Sequence, residues 1–307
     1  MGKADMSAEQ AKVTASVYSD KDSPIDPRLV KAVRTAELEL GMKVFCLIQH
    51  GTGDERYGEI HPWLTSRVMA SVGSLPPGQS IAVLLHSPGG DAHTAFRLAR
   101  FLRRHCQGYT VIIPRYAKSA ATLFSLGASD IYFGDYAEFG PIDVQLDNAE
   151  QERTISALEV VQSLERLNSE ALLAVDSMMT HLMRRSQKKV DALLPAVLRY
   201  AADLTKPMFD KIDTVSFTFH ARLLKIGEDY ARMLLRHSYR PEIADTIAYS
   251  LTRKYPDHGF VIDCDEAKAI GLELQRLPDK LREPLALQRG FLDLLAEPPL
   301  GRGRKHG

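Results

Sequence analysis

No apolar run in the sequence approaches the ~20 residues of a membrane span, and its N-terminus lacks the apolar core of a signal peptide. These absences predict a cytoplasmic protein with no membrane partner. Net charge is also absent. The 39 Lys and Arg balance 39 Asp and Glu, so the chain as a whole makes no electrostatic case for nucleic acid. Cysteine is scarce: Cys46, Cys106 and Cys264 are too far apart for a Cys-x-x-Cys pair, a metal spacing or a disulfide framework. No metal and no other cofactor is expected, and Cys46 and Cys106 read as buried thiols in apolar surroundings. There is no internal repeat and no low-complexity tract. What remains is an ordinary globular composition, 45% apolar and 25% charged over 307 residues. That length suits one large domain, or a domain with a helical extension.

The informative stretch runs from Ile81 to Gln145, where one plan occurs twice: an apolar run, a turn of small residues, then a helical pattern. Ile81–Leu85 is long enough for a buried strand and too short for a helix. Ser87-Pro88-Gly89-Gly90 breaks it, because proline lacks an N–H and paired glycines permit backbone angles that other residues resist. Asp91 is placed to cap the helix that follows. In the second unit Val111–Ile113 is the strand, Pro114–Lys118 the turn, and Ser119 opens a helix expected to reach Ala128. Ile131–Phe133 is a third strand. Strand–helix–strand–helix–strand implies parallel pairing with right-handed crossovers. Such a sheet collects its helix starts on one rim, where ligands bind. Free N–H groups from the Gly-Gly turn and from the helix at Ser119 can face one point there, the arrangement that an oxyanion hole requires.

Residues 1–23 are polar and predicted to be a mobile arm. Pro24–Leu40 holds a short helix, Val44–Ile48 a strand, Gln49–Ile60 a glycine-rich loop, and Pro62–Ser74 a crossover helix. From Ala149 to Ala202 helix formers dominate, with interruptions near Ser186 and Pro195, and Thr205-Lys206-Pro207 is expected to break the pattern. Further helices are predicted over Asp213–Arg236 and Glu242–Leu251. Asp263 or Asp265 can cap a short helix that Gly271 ends. The resulting division is an N-terminal arm and short helix (1–40), a core (41–148), a helical block (149–254), a closing segment (255–300) and a basic, disordered tail (301–307).

Ser-Pro-Gly-Gly before a helix, followed by Ala-Lys-Ser-Ala-Ala at the next strand–helix junction, resembles the ClpP/crotonase superfamily. More narrowly it resembles the serine dehydrogenase proteinase family, relatives of signal peptide peptidase A. Gly140-Pro141-Ile142-Asp143 also fits that family. The resemblance is strong over about 44–145 and returns in a patch near 255–275. It implies an α/β fold: a ClpP/crotonase-like core of parallel strands with crossover helices, plus a mainly helical C-terminal block. It implies a serine peptidase in which Ser119 is the nucleophile, and Gly89 or Gly90 with Ala120 supplies the oxyanion donors. The substrate would be a peptide or protein, pairing as an added strand beside the Gly-Gly segment. The superfamily also implies a homo-oligomer, expected here to use residues within 150–250. The alternative is a non-catalytic or acyl-thioester-binding member of the same fold.

A serine needs a base within hydrogen-bond reach. The Clp histidine would fall within Phe139–Asp143, which contains none. The lysine of the simple Ser–Lys dyad is missing too, because no lysine occurs between Ser119 and Lys188. Three candidate bases remain open. His258 matches a histidine of the resembled family, with Asp257, Asp263 or Asp143 to orient it. Lys206 or Lys188/Lys189 can reach in from the helical block. Lys118 adjoins the serine, but a neighbour at a tight turn points elsewhere. A chain with no competent base is the further possibility. His86 and His93 flank the Gly-Gly turn and read chiefly as local hydrogen-bonding residues.

Overall fold

The computed structural model describes residues 27–49, 58–73, 75–143, 145–148, 153–186 and 188–285. The arm expected over 1–23, the tail at 301–307 and the loop residues 50–57 lie outside these. The chain divides into two compact units, Met1–Ile142 with Gly227–Gly307, and Asp143–Ile226.

In the first unit the chain runs through α1 (Pro27–Leu40), β1 (Lys43–Ile48), α2 (Pro62–Gly73), β2 (Ile81–His86) and α3 (Ala92–His105). It continues through β3 (Tyr109–Ile113), β4 (Tyr116–Ala117), α4 (Ala120–Ser125), β5 (Asp130–Phe133) and β6 (Glu138–Phe139). In the second unit β7 (Gln145–Asn148) pairs antiparallel with β8 (Arg153–Ser156), and α5 (Ala157–Ser186) and α6 (Val190–Phe209) follow. The described chain ends with α7 (Thr214–Leu235), α8 (Pro241–Tyr249), a π-helical turn at Ser250–Lys254, α9 (Cys264–Ala269), β9 (Gln275–Arg276) and α10 (Asp279–Leu285).

The main sheet has the order β1-β2-β3-β5-β9, and every pair in it is parallel, as the repeated strand–helix plan predicts. β2 is buried along its whole length. Its alternate residues feed two cores because side chains alternate faces along a strand. Ile81, Val83 and Leu85 join Leu64, Leu98 and Leu102 on one side. Ala82 and Leu84 join Leu29, Val33 and Leu281 on the other. Burial on both faces is why the strand reads as an unbroken apolar run. Cys106 is buried and Cys46 half-buried. Burial, then the Glu37 carboxylate, pushes the Cys46 thiol up to about 12, so it is no nucleophile at neutral pH.

Asp91 caps α3 as expected, its carboxylate accepting from the Thr94 N–H at 2.7 Å. Asp263 caps α9 in the same way, and Gly271 ends that segment at φ +104°. Three expectations fail. The helix after Ser119 stops at Ser125, short of Ala128. There the buried Tyr109 hydroxyl donates to the Phe124 carbonyl at 2.6 Å, and Gly127 passes so close that a Cβ would lie 2.5 Å from the same hydroxyl. The helical pattern read from Ala149 gives way to the β7–β8 hairpin, and the helix begins only at Ala157. Finally, α6 runs through both Pro195 and Pro207. Each proline forfeits one backbone bond, Pro195 to Asp191 and Pro207 to Asp203, and the helix continues through both.

Tyr109 ties β3 to α4, the helix that opens after Ser119. Replacing it with Phe leaves the buried Phe124 carbonyl without that donor, and Tyr109→Phe is expected to cost about 1–2 kcal/mol in urea unfolding.

Candidate active site

The ends of β2 and β3 run into two turns laced to each other. The Ser87 N–H donates to Tyr116 O at 3.2 Å, and the Lys118 N–H to Ser87 O at 3.0 Å, so Ser87 bridges Ala117 in parallel. Gly89 and Gly90 have φ of +118° and +125°. Ser119 has φ 50° and ψ −116°, and among the described residues it is the one non-glycine with positive φ. That backbone costs on the order of 1–3 kcal/mol and persists only where the surroundings enforce it. A strained strand-to-helix turn is also how a nucleophilic serine is presented outward from a sheet. Ser119 is half-exposed, and among the described residues its hydroxyl makes no hydrogen bond.

The two turns are in direct contact. A Cβ on Gly89 would lie 2.7 Å from the Ser119 Cβ and 3.1 Å from the Ala120 nitrogen, so only glycine fits. The two glycines divide their roles. The Gly89 N–H donates to Ser87 Oγ at 3.2 Å, and its carbonyl accepts from the Ile60 N–H at 2.6 Å. Gly90 pairs in parallel with Ile60, flanked by those Gly89 and Asp91 bonds, so its own N–H and C=O face away from Ile60. Among the described residues neither the Gly90 nor the Ala120 amide donates a hydrogen bond. Ile60 therefore occupies one edge of the segment beside which a peptide strand was expected to add, and leaves the Gly90 edge. α4 has only six residues, so two local amides rather than a long helix dipole supply positive character here.

Polar groups that the sequence reading missed hold this geometry. Ser87 Oγ donates to Gln49 Oε1 at 2.8 Å, the Gln49 N–H donates to His86 O at 2.7 Å, and the Gln49 amide reaches the Glu59 carbonyl. Both Ser87 and Gln49 are buried. The buried Thr122 hydroxyl lies 2.7 Å from Ala117 O and 2.9 Å from Gly140 O, and accepts from the Gly140 N–H at 3.3 Å. A polar residue inside an apolar helix, three after Ser119, is the signal that would have found Thr122. Gln49 gives no such signal, because its partner is 38 positions away. Gly140 lies flat on Lys118, where a Cβ would meet the lysine Cδ at 2.7 Å.

The candidate bases fare differently. Lys118 pairs with Glu138 at 2.8 Å, and the structure does not join it to the Ser119 hydroxyl by a hydrogen bond. Lys188, Lys189 and Lys206 are exposed residues of the second unit. His258 lies in a turn whose segment returns to the layer of β4 and β6: Phe139 and Ile262 exchange bonds of 2.8 and 3.1 Å, and Phe139 pairs with Ala117. The structure does not join His258 to Ser119 by a hydrogen bond. The carboxylates expected to orient the imidazole are engaged in capping. Asp257 accepts from Gly259, Asp263 from Asp265 and Glu266, and the buried Asp143 from Leu158 and from the Ser156 hydroxyl at the start of α5. His86 is fully buried against Tyr116, and His93 bonds Tyr230 at 2.9 Å.

A parallel sheet with crossover helices, two abutting strand-to-helix turns, paired free amides and a strained serine between them define a ClpP-like α/β protein. The chain belongs to the family of ClpP-like SDH-type serine proteinases, whose model matches residues 60–221, more than half its length. The match takes in Gly89, Gly90, Ser119 and Ala120, extends into the helical block beyond the expected limit near 145, and leaves His258 outside. Two uncharacterized proteins of Methanocaldococcus jannaschii are similar. One is 25% identical over 264 residues, covering 84% of this chain and 75% of the relative. The other is 24% identical over 242 residues, covering 76% and 69%.

Relieving the strain in the Ser119 backbone should stabilise the protein. Ser119→Gly is expected to be more stable than Ser119→Ala by about 1 kcal/mol in parallel urea melts, against the usual penalty for glycine.

Proposed function

We propose that the protein is a serine peptidase acting on peptide or protein substrates. The observation that carries this reading is the Ser119 backbone, the one positive-φ non-glycine among the described residues, held against the Gly89 turn. Ser119 Oγ attacks the peptide carbonyl and gives its proton to the base. The Gly90 and Ala120 amides receive the oxyanion of the tetrahedral intermediate. Collapse expels the amine, which takes the proton back, and water then hydrolyses the acyl-enzyme. His258 is the base in this proposal, and the pairing of Ile262 with Phe139 supports it by returning the closing segment to the serine's layer. Lys206 and Lys188/Lys189 are the next candidates. No helix among the described residues is long and apolar enough to cross a membrane. A cytoplasmic site of action fits the sequence reading.

One observation favours the second reading, a binding protein that uses the amide pocket without hydrolysis: the Ser119 hydroxyl has no hydrogen-bonded base among the described residues. Labelling with a fluorophosphonate separates the two. The peptidase reading expects labelling that Ser119→Ala abolishes, whereas no labelling of the wild-type chain supports binding alone. His258→Ala should lower peptide hydrolysis on the order of 10²–10⁴-fold with unchanged circular dichroism. Wild-type activity should fall on acidification, since a protonated imidazole cannot accept the serine proton. Undiminished activity in His258→Ala moves the assignment to the lysines.

The proposal includes a homo-oligomer built through residues 150–250. In support, α5 is 30 residues long, yet its buried residues are Ala157, Leu158 and Val161, all in its first turns. Leu172, Leu173, Leu194, Leu198 and Leu204 are exposed. Light scattering at micromolar concentration should report a mass of at least a dimer, and a monomer would overturn this part.

A further inference from the structure

Between Ile60 and Ser129 the sequence has one carboxylate, Asp91, against seven lysines and arginines. That carboxylate is engaged, accepting from both the amide and the hydroxyl of Thr94 at the start of α3. The imbalance is concentrated where α2 and α3 lie side by side. An open groove of about 470 Å³ there has Met69 and Phe101 among its apolar lining, with Arg97, Arg100 and Arg104 along it. These arginines are three and four apart on one helix, so they form a row of roughly 10 Å along one face. All three are exposed, and among the described residues none is paired with a carboxylate. Exposed guanidinium groups in a row on an apolar floor, with no acidic residue nearby in sequence to neutralise them, are a recognition surface for carboxylates.

We infer that the α2–α3 groove binds an acidic, partly apolar segment of a partner protein, its carboxylates on Arg97, Arg100 and Arg104 and its apolar side chains on Met69 and Phe101. Nucleic acid fits less well. Single strands are held by bases stacking on bare aromatic faces, but Phe101 is already stacked with His105 at 5.5 Å, and Phe96 lies between Tyr230 at 4.0 Å and the Arg100 guanidinium. The chain as a whole also carries no net positive charge. The inference makes no use of Ser119 and stands apart from the peptidase reading.

The test is fluorescence anisotropy on the full-length chain with a fluorescein-labelled peptide of repeated Glu-Glu-Leu triplets. Saturable binding is expected, weakening as salt is raised. The triple variant Arg97→Gln/Arg100→Gln/Arg104→Gln should bind at least about tenfold more weakly, as loss of several exposed charge pairs implies. Arg199→Gln/Arg222→Gln, exposed arginines elsewhere, should bind like the wild type. If the triple variant melts early, the three single variants replace it, each expected to bind about two- to fivefold more weakly. A Glu-Glu-Ser peptide should bind less well than Glu-Glu-Leu. The inference is overturned by absence of saturable binding, by equal binding to the arginine variants, by equal binding of the Ser peptide, or by tighter binding of an oligothymidylate to the same arginines.

Discussion

The approach of the Gly89 backbone to Ser119 is the constraint on which the rest of the site depends. With 2.7 Å available to a Cβ, the two turns touch through backbone and the serine's own Cβ. That closeness requires β2 and β3 to be adjacent and parallel, with Leu84 beside Ile112, and the offset to shift by two residues beyond the strand ends so that Ser87 lies beside Ala117. It also sets the Gly90 and Ala120 amides near one another. The strain at Ser119, on the order of 1–3 kcal/mol, is small beside what the surrounding core supplies. Fully burying Leu85, Leu98 and Leu102 contributes about 1.5–3 kcal/mol each.

The strain is fixed by buried hydrogen bonds as well as by apolar packing. Gln49 and Ser87 brace the glycine turn from one side, and Thr122 ties Ala117 to Gly140 on the other. Lys118 is drawn off by Glu138, and Gly140 lets the chain lie across it. The Gly-Pro-Ile-Asp stretch thus has a structural account. Its glycine permits this contact, its isoleucine N–H donates to Leu251 O at 2.8 Å, and its aspartate helps to start α5. The serine and its amides are built by local strand–turn–helix geometry. The base is not, and among the described residues no side chain waits within hydrogen-bonding distance of the hydroxyl.

Reading the sequence located the β2–α3 and β3–α4 units, the Asp91 and Asp263 caps and the two glycines, since each is a signal within a few residues. The same reading erred where a local signal competes with a partner far along the chain. Helix-forming residues after Ala149 gave no warning of the β7–β8 hairpin, whose strands are stabilised by each other. Prolines 195 and 207 looked like breaks, although each removes a single backbone bond and the helix runs on through both.

By itself the sequence determined the parallel α/β class, the serine at a strand-to-helix turn and the glycine pair opposite it, because apolar periodicity and permissive backbone angles are properties of short stretches. Only the tertiary structure decided that Gly90 rather than Gly89 keeps its amide free, that Ile60 takes one edge of that segment, and that Gln49 and Thr122 brace the turns. It alone also showed that three arginines of α3 line an acid-free groove with α2. Each of these depends on which backbone edge or side chain is consumed by a distant neighbour, and hydrogen-bond and charge pairing across tens of residues leaves no periodic trace in the chain.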